Sequence, residues 1–244
     1  MTSPDTERAF LDQYDPAQFD RPSVAVDVVL LTALEGRLHA LLVQRAEHPF
    51  RGHWALPGGF VTIDQSLDAA ARQVLTRKTG LEGVYLEQLY TFGAPGRDPR
   101  MRIVSVAYYA LVPSRRLAEL AEHLHPIDVP WEGERGGPAH ALGPDALPVP
   151  LAFDHADILG MAVLRIRGKL GYTHIGFELL PELFTLRQLR AVHETILGRS
   201  LNKDSFRRRA LASGVVEATG RRQSDTPHRP AELFRFTRPE PPRR

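Results

Sequence analysis

Apolar residues along this chain repeat with two different periods, and the change from one to the other divides it. From Ser23 to Thr32, SVAVDVVLLT is dense in β-branched residues and predicts a strand. Glu35-Gly36 marks a turn, and Leu38 to Arg45 predicts the hairpin partner. Leu67, Ala70, Ala71, Val74 and Leu75 then fall at helical spacing, which buries one helix face, and Gly80 suits the C-terminal cap. Val84 to Phe92 and Ile103 to Val112 predict two more strands.

After residue 150 helical spacing dominates. Phe153 to Lys169 predicts a connecting helix with Ile158, Met161, Ala162 and Arg165 on one stripe. Thr185 and Gln188 have the spacing of a capping box, and the helix they start buries Leu186, Leu189, Val192 and Ile196 before Gly198 ends it. A second helix follows, capped by Asn202, stapled by Leu201 and Phe206, and closed near Ser213-Gly214. Val215 to Ala218 and Glu232 to Phe236 can pair as a hairpin whose tip carries Arg221, Arg222, His228 and Arg229. Helix, short turn, basic helix and basic hairpin make the layout of a winged helix-turn-helix.

Two stretches show neither period. Residues 1–22 read as a polar arm that Phe10, Tyr14 and Phe19 could pin to a surface, and His123 to Pro150, centred on WEGERGGP, reads as a mobile insertion or linker. The expected organisation is an arm (1–22), a first domain (23–150) and a second domain with its connecting helix (151–244).

Composition changes this picture at three points. The absence of cysteine excludes disulfides, thiolate chemistry and zinc–thiolate sites. No basic segment followed by an apolar core opens the chain, and no apolar run approaches the ~20 residues of a membrane span, so a soluble cytoplasmic protein without membrane association is expected. The net charge of +2 conceals a split: residues 151–244 hold 17 Lys and Arg against 10 Asp and Glu, leaving 14 against 19 in residues 1–150. A basic second half points to nucleic acid. On the second capped helix, Lys203, Ser205, Arg207, Arg208 and Arg209 are the candidate DNA contacts, with Arg221, Arg222 and Arg229 on the wing.

The candidate chemistry of the first half lies in Leu56 to Leu81, LPGGFVTIDQSLDAAARQVLTRKTGL. This stretch resembles the Nudix box, the loop–helix–loop that holds magnesium against a nucleoside diphosphate. With Gly59 as the first glycine of the motif, Gly80-Leu81 fall on its terminal Gly-apolar pair without a gap. The motif's glutamates then fall on Gln65, Val74, Arg77 and Lys78, and its arginine on Gln73. Magnesium requires hard oxygen ligands at ~2.1 Å, and valine, arginine and lysine supply none. No catalytic residue and no metal ligand is therefore assigned in the box. Arg77 and Lys78 either occupy the last helical turn because the helix dipole favours cations there, or contact a bound pyrophosphate in place of the metal.

RDPR, residues 97–100, and SVAY, residues 105–108, resemble the Nudix branch that handles ADP-ribose-like ligands. Followed by FDHADIL, YTHIGFELLPELFTLRQLRAVHETILGRSLNKDSFRRRAL and RPAELFRF, they identify the chain as similar to the Nudix-related transcriptional regulators of NAD metabolism, from about Pro22 to Phe236. The resemblance implies an α/β (α+β) chain, a Nudix-like α/β/α sandwich with a C-terminal winged helix-turn-helix. It also implies a homodimer on a palindromic operator of double-stranded DNA near NAD biosynthesis or salvage genes, a repressor that needs no cofactor and is released by ADP-ribose or another NAD metabolite. Arg45, Trp54, Gly58, Gly59, Arg77, Lys78, Arg97, Arg100 and Arg102 are its candidate ligand contacts. The alternative is a Nudix pyrophosphatase acting on ADP-ribose or a related dinucleotide, with Asp64 or Glu87 on the metal.

Overall fold

The computed structural model describes residues 4–223 and 230–238. In chain order the first part contains α1 (Pro4–Gln13), β1 (Ser23–Leu34), β2 (Arg37–Leu41), β3 (Val43–Gln44), β4 (Trp54–Ala55), β5 (Gly58–Phe60), α2 (Leu67–Thr79), β6 (Tyr85–Phe92), β7 (Ile103–Leu111), β8 (Leu124–Asp128) and β9 (His140–Ala141). The second contains α3 (His155–Lys169), β10 (Leu183–Phe184), α4 (Leu186–Leu197), α5 (Lys203–Ala212), β11 (Val216–Arg222) and β12 (Glu232–Phe236).

The β-branched runs build the middle of a sheet ordered β6-β7-β1-β2-β8-β9. β1 and β7 are parallel from Ser23↔Ile103 to Leu31↔Leu111. The other edge of β1 is shared, Ala25–Asp27 pairing with β5 and Leu31–Leu34 with β2. Because successive strand residues face opposite ways, β1 serves two cores. Val26, Val28 and Leu30 meet Ala70, Ala71, Val74 and Leu75 of α2, whereas Val29 and Leu31 meet Ile158, Leu159, Ala162, Val163 and Ile166 of α3. The result is a sandwich of helix, sheet and helix. The second core continues without a break into Leu189, Val192 and Ile196 of α4, Phe206 of α5 and Phe234 of β12.

Local signals place the helices as the sequence predicts. Ser66 Oγ accepts the Ala69 N–H at 3.2 Å to start α2, and Gly80, at φ +68, ends it. Thr185 and Gln188 form both bonds of the capping box of α4, and Asn202 Oδ1 accepts the Ser205 N–H at 3.0 Å to start α5. The antiparallel pair β11–β12 forms the expected wing hairpin, joined by the unforeseen β10.

Four expectations are corrected. His123 to Pro150 is not a free linker: β8 and β9 extend the sheet, burying His125, Ile127 and Ala141, because a short period-two alternation persists among the prolines. Leu38 to Arg45 is two strands, and the second, β3, leaves β2 to pair with β4. α3 buries Leu159, Val163 and Ile166 where Met161 and Arg165 were expected, since the sheet and α4 together cover a wider stripe than one periodic row. Residues 4–13 form a helix, and Phe10, Tyr14 and Phe19 lie exposed rather than against this chain. Among the described residues no helix is long and apolar enough to cross a membrane.

Candidate nucleotide cavity and DNA-facing surface

The odd-numbered face of β1 and β7 turns from apolar to polar at Asp27 and Ser105, and there α3 begins rather than covers the sheet. A cleft of about 410 Å³ opens at this place, lined by Ala25, Asp27 and Ile103 of the sheet, Arg45 to Glu47, Gly58 to Phe60, Lys78, Arg97, Asp98, Arg100, Phe153 and His155. Asp27, 8% exposed, anchors its floor: it accepts the Ser105 hydroxyl at 2.5 Å, with an Arg97 nitrogen at 3.5 Å and His155 Nε2 at 3.7 Å. Gly58 passes directly over this carboxylate. A Cβ there would lie 2.3 Å from Asp27 Oδ1, so only glycine fits. At Gly59 an added Cβ would make only ordinary contacts, at 3.6 Å, with Arg77 and Val74.

The guanidinium groups of the cleft are held in place. Arg97 grips Asp154 with two nitrogens, at 2.8 and 2.5 Å. Burial works against its charge, but Asp154, then Asp27 and Asp98, hold it firmly protonated. Arg100 donates to both oxygens of Asp98, at 3.0 and 2.8 Å, and this bond holds the Asp98 carboxyl below its ordinary range. Phe153 stands between cations, its ring centre 4.9 Å from the Arg45 guanidinium and 6.0 Å from that of Arg100. His155 is neutral: burial lowers its pKa despite Asp27 and Asp154, and its Nδ1 accepts the Leu56 N–H at 2.9 Å. A flat aromatic face beside fixed guanidinium forks suits a ligand with a ring and a phosphate.

The box positions carry amides, a hydrocarbon and cations. Gln65 donates to Gln73 at 2.8 Å, Val74 is buried among the apolar residues behind α2, and Arg77 and Lys78 are exposed on its last turn. Lys78 reaches the cleft and Arg77 stays beside Gly59. The two carboxylates of the pyrophosphatase alternative are elsewhere. Asp64 lies outside the cleft lining, and Glu87 sits on β6, bound by Lys169 at 2.5 Å and by Tyr85. The structure thus corrects Glu87 as a metal ligand: its charge is already neutralised between β6 and α3. No group of three or more His, Asp or Glu able to hold a metal occurs among the described residues.

Of the residues expected at the ligand, Arg45, Gly58, Gly59, Lys78, Arg97 and Arg100 converge on the cleft, while Trp54, Arg77 and Arg102 are not in its lining. Trp54 instead packs its ring 4.2 Å from that of His125, and Arg102 donates to the Gly93 carbonyl at 2.7 Å. Asp27, Phe153, Asp154 and His155 were missed. The sequence clues were a lone carboxylate in the apolar run of β1 and the FDHADIL stretch, residues 153–159.

Across the molecule, Phe206 anchors α5 by packing against His193, with ring centres 5.1 Å apart. With Phe206 inward, Lys203, Arg207, Arg208 and Arg209 are exposed, and Ser205 is half-buried at the start of the helix. Among the described residues none of these four cations has a carboxylate within 4.0 Å. Arg221 and Arg222 extend the basic surface along β11, and Arg229 lies outside the described residues.

A Nudix-like sandwich joined through one core to a winged helix with an open basic face defines the class: a regulator fold built on a nucleotide-binding scaffold. The profile of the NrtR DNA-binding winged helix domain matches residues 176–236, and that of the NUDIX domain matches residues 21–131. The chain is 40% identical to the "ADPR responsive transcriptional repressor NtrR" of Acinetobacter baylyi, over 95% of this chain and 88% of that protein. Its structure is similar to that of Shewanella oneidensis NrtR complexed with a 27mer DNA, with TM-score 0.71, 35% identity, and 88% and 93% of the two chains covered. It is also similar to the NUDIX domain of that protein complexed with ADP ribose, with TM-score 0.50, 35% identity, and 68% and 99% covered. The chain belongs to the NrtR family of Nudix-related transcriptional regulators.

Proposed function

We propose that the chain is a transcriptional repressor that binds a palindromic operator as a homodimer and lets go when ADP-ribose, or a related NAD metabolite, enters the cleft of its sandwich. The observation that carries it is the exposed row Lys203, Arg207, Arg208 and Arg209, without carboxylate partners among the described residues, on a capped helix whose other side is anchored by Phe206. A helix so presented fits the major groove, where arginine binds guanine O6 and N7 with two bonds, while Ser205, Arg221, Arg222 and Arg229 suit phosphates. The winged helix that follows α3 then serves DNA, and residues 23–150, with Phe153 to His155 at the start of α3, serve the effector.

In the cleft, Phe153 stacks on a base or ribose and Lys78 and Arg100 take the diphosphate, with Arg45 beside them. The sandwich does not hydrolyse this ligand, because Gln65, Val74, Arg77 and Lys78 place no carboxylate where magnesium would need one. Gel retardation on DNA upstream of NAD biosynthesis or salvage genes, repeated with ADP-ribose, NAD and nicotinamide mononucleotide, tests the proposal. Retention that one of these ligands abolishes supports it. Absence of retention at low salt on every such fragment refutes it, and magnesium-dependent turnover of ADP-ribose refutes the hydrolytic part alone.

A further inference from the structure

We propose that the Arg97–Asp154 pair is a latch which an anionic ligand opens, and that α3 carries this opening to the DNA-facing helices. This rests on the cleft taking a diphosphate. Three consecutive residues at the start of α3 are fixed by groups of the cleft. Phe153 holds a left-handed backbone, φ +53, with its ring between Arg45 and Arg100. Asp154 is gripped by Arg97 at 2.8 and 2.5 Å, and His155 is bound to the Leu56 N–H at 2.9 Å. A left-handed phenylalanine persists only where its surroundings impose it.

The far end of α3 is joined to α4. Arg167 Nε donates to the Ile196 carbonyl in the last turn of α4 at 2.9 Å, and its guanidinium lies 5.0 Å from the Trp131 ring centre. Between the two ends α3 shares one apolar core with α4 and with Phe206 of α5.

A phosphate and a carboxylate engage guanidinium through the same two-bond fork. Arg97 is already divided between Asp154 and Asp27, so a diphosphate in the cleft competes with Asp154 for it and repels the carboxylate it displaces. Asp154 released from Arg97 frees the start of α3. The Arg167 bond to the Ile196 carbonyl ties the shifting helix to the last turn of α4, so that α4 moves with α3. The DNA-binding arrangement is the latched one, and the ligand-bound arrangement is unlatched.

Calorimetry with ADP-ribose and retardation of an operator fragment, applied to full-length wild type, Asp154→Asn and Arg167→Gln, test the latch. Asp154→Asn removes the charge of Arg97's nearer carboxylate partner and leaves only Asp27 to compete with phosphate for it. It should tighten ADP-ribose binding about fivefold or more and weaken operator retention by a similar factor, because coupling between two binding sites is reciprocal. Arg167→Gln should bind ADP-ribose as wild type does but keep the operator when ADP-ribose is added. Unchanged affinities in Asp154→Asn, or weaker ADP-ribose binding, overturn the latch. Should Asp154→Asn fail to fold, full release of operator from Arg167→Gln by ADP-ribose overturns it alone. Wild type that ignores ADP-ribose defeats the proposed function and the latch with it, whereas wild type that responds beside an indifferent Asp154→Asn defeats only the latch.

Discussion

The cleft and the DNA-facing helix are both built from arginine, and they use it in opposite ways. In the cleft Arg97 has 4% of its side chain exposed and two carboxylate partners, and Arg100 lies on Asp98. On α5, Arg207, Arg208 and Arg209 are exposed and carry no such partner among the described residues. A paired, desolvated guanidinium has a fixed direction, and its loss leaves buried carboxylates uncompensated. A solvated one has reach and charge, contributes little to stability, and acts on a polyanion through a field that salt screens. Under the proposed function, fixed arginines select a ligand and couple it to the fold, whereas the exposed arginines of α5 bind DNA without being part of the fold.

The contrast is most sharply broken or confirmed by Arg97→Ala. It strands Asp27 and Asp154 and should cost about 3 to 5 kcal/mol of stability, read by urea or thermal unfolding; a loss no greater than that of an α5 arginine would erase the distinction. Arg207→Ala and Arg208→Ala should each weaken operator binding by about 1 to 3 kcal/mol while leaving the melting temperature unchanged. Fluorescence anisotropy over a salt series should show the logarithm of affinity falling linearly with that of salt.

A smaller effect separates the regions by pH. Burial, with some help from Arg209, pushes the His193 imidazole behind Phe206 down to about 4. Its folded pKa is thus below the unfolded one, so its contribution is complete above about pH 6.5 and is lost as pH falls toward 4. Stability of the wild type should fall in that window by about 1 kcal/mol per pH unit beyond that of His193→Gln. The smallest effect is on stability in Arg77→Ala with Lys78→Ala, which forfeits only favourable helix-end charges of about 0.3 to 1 kcal/mol each. ADP-ribose affinity of that double variant decides between the two readings of the eroded box: a clear loss assigns Lys78 and its neighbour to phosphate, and no change assigns them to the helix dipole.

Much of the second half is legible in the order of its residues. Thr185, Gln188, Asn202, Leu201 and Phe206 act within one turn of their own helices, so their spacing in sequence is their spacing in space. The box frame is legible for the same reason, since Gly59 and Gly80 bracket a single loop and helix. The strand β8 is not, because Pro126 and its neighbours obscure a five-residue alternation. Equally hidden is the wide buried stripe of α3, which is set by two partners at once, the sheet and α4.

Short stretches of sequence suffice for the capped helices, for the absence of carboxylates at Gln65, Val74, Arg77 and Lys78, and for the basic face of α5, because each is a property of neighbours along the chain. Arg100 is fixed by Asp98 two residues away, but the fixing of Arg97 is settled by tertiary contacts alone. Asp27 lies 70 residues from Arg97, and Asp154 lies 57 from it. The role of Arg97 is set by the carboxylates that folding brings to it, and no local pattern records them.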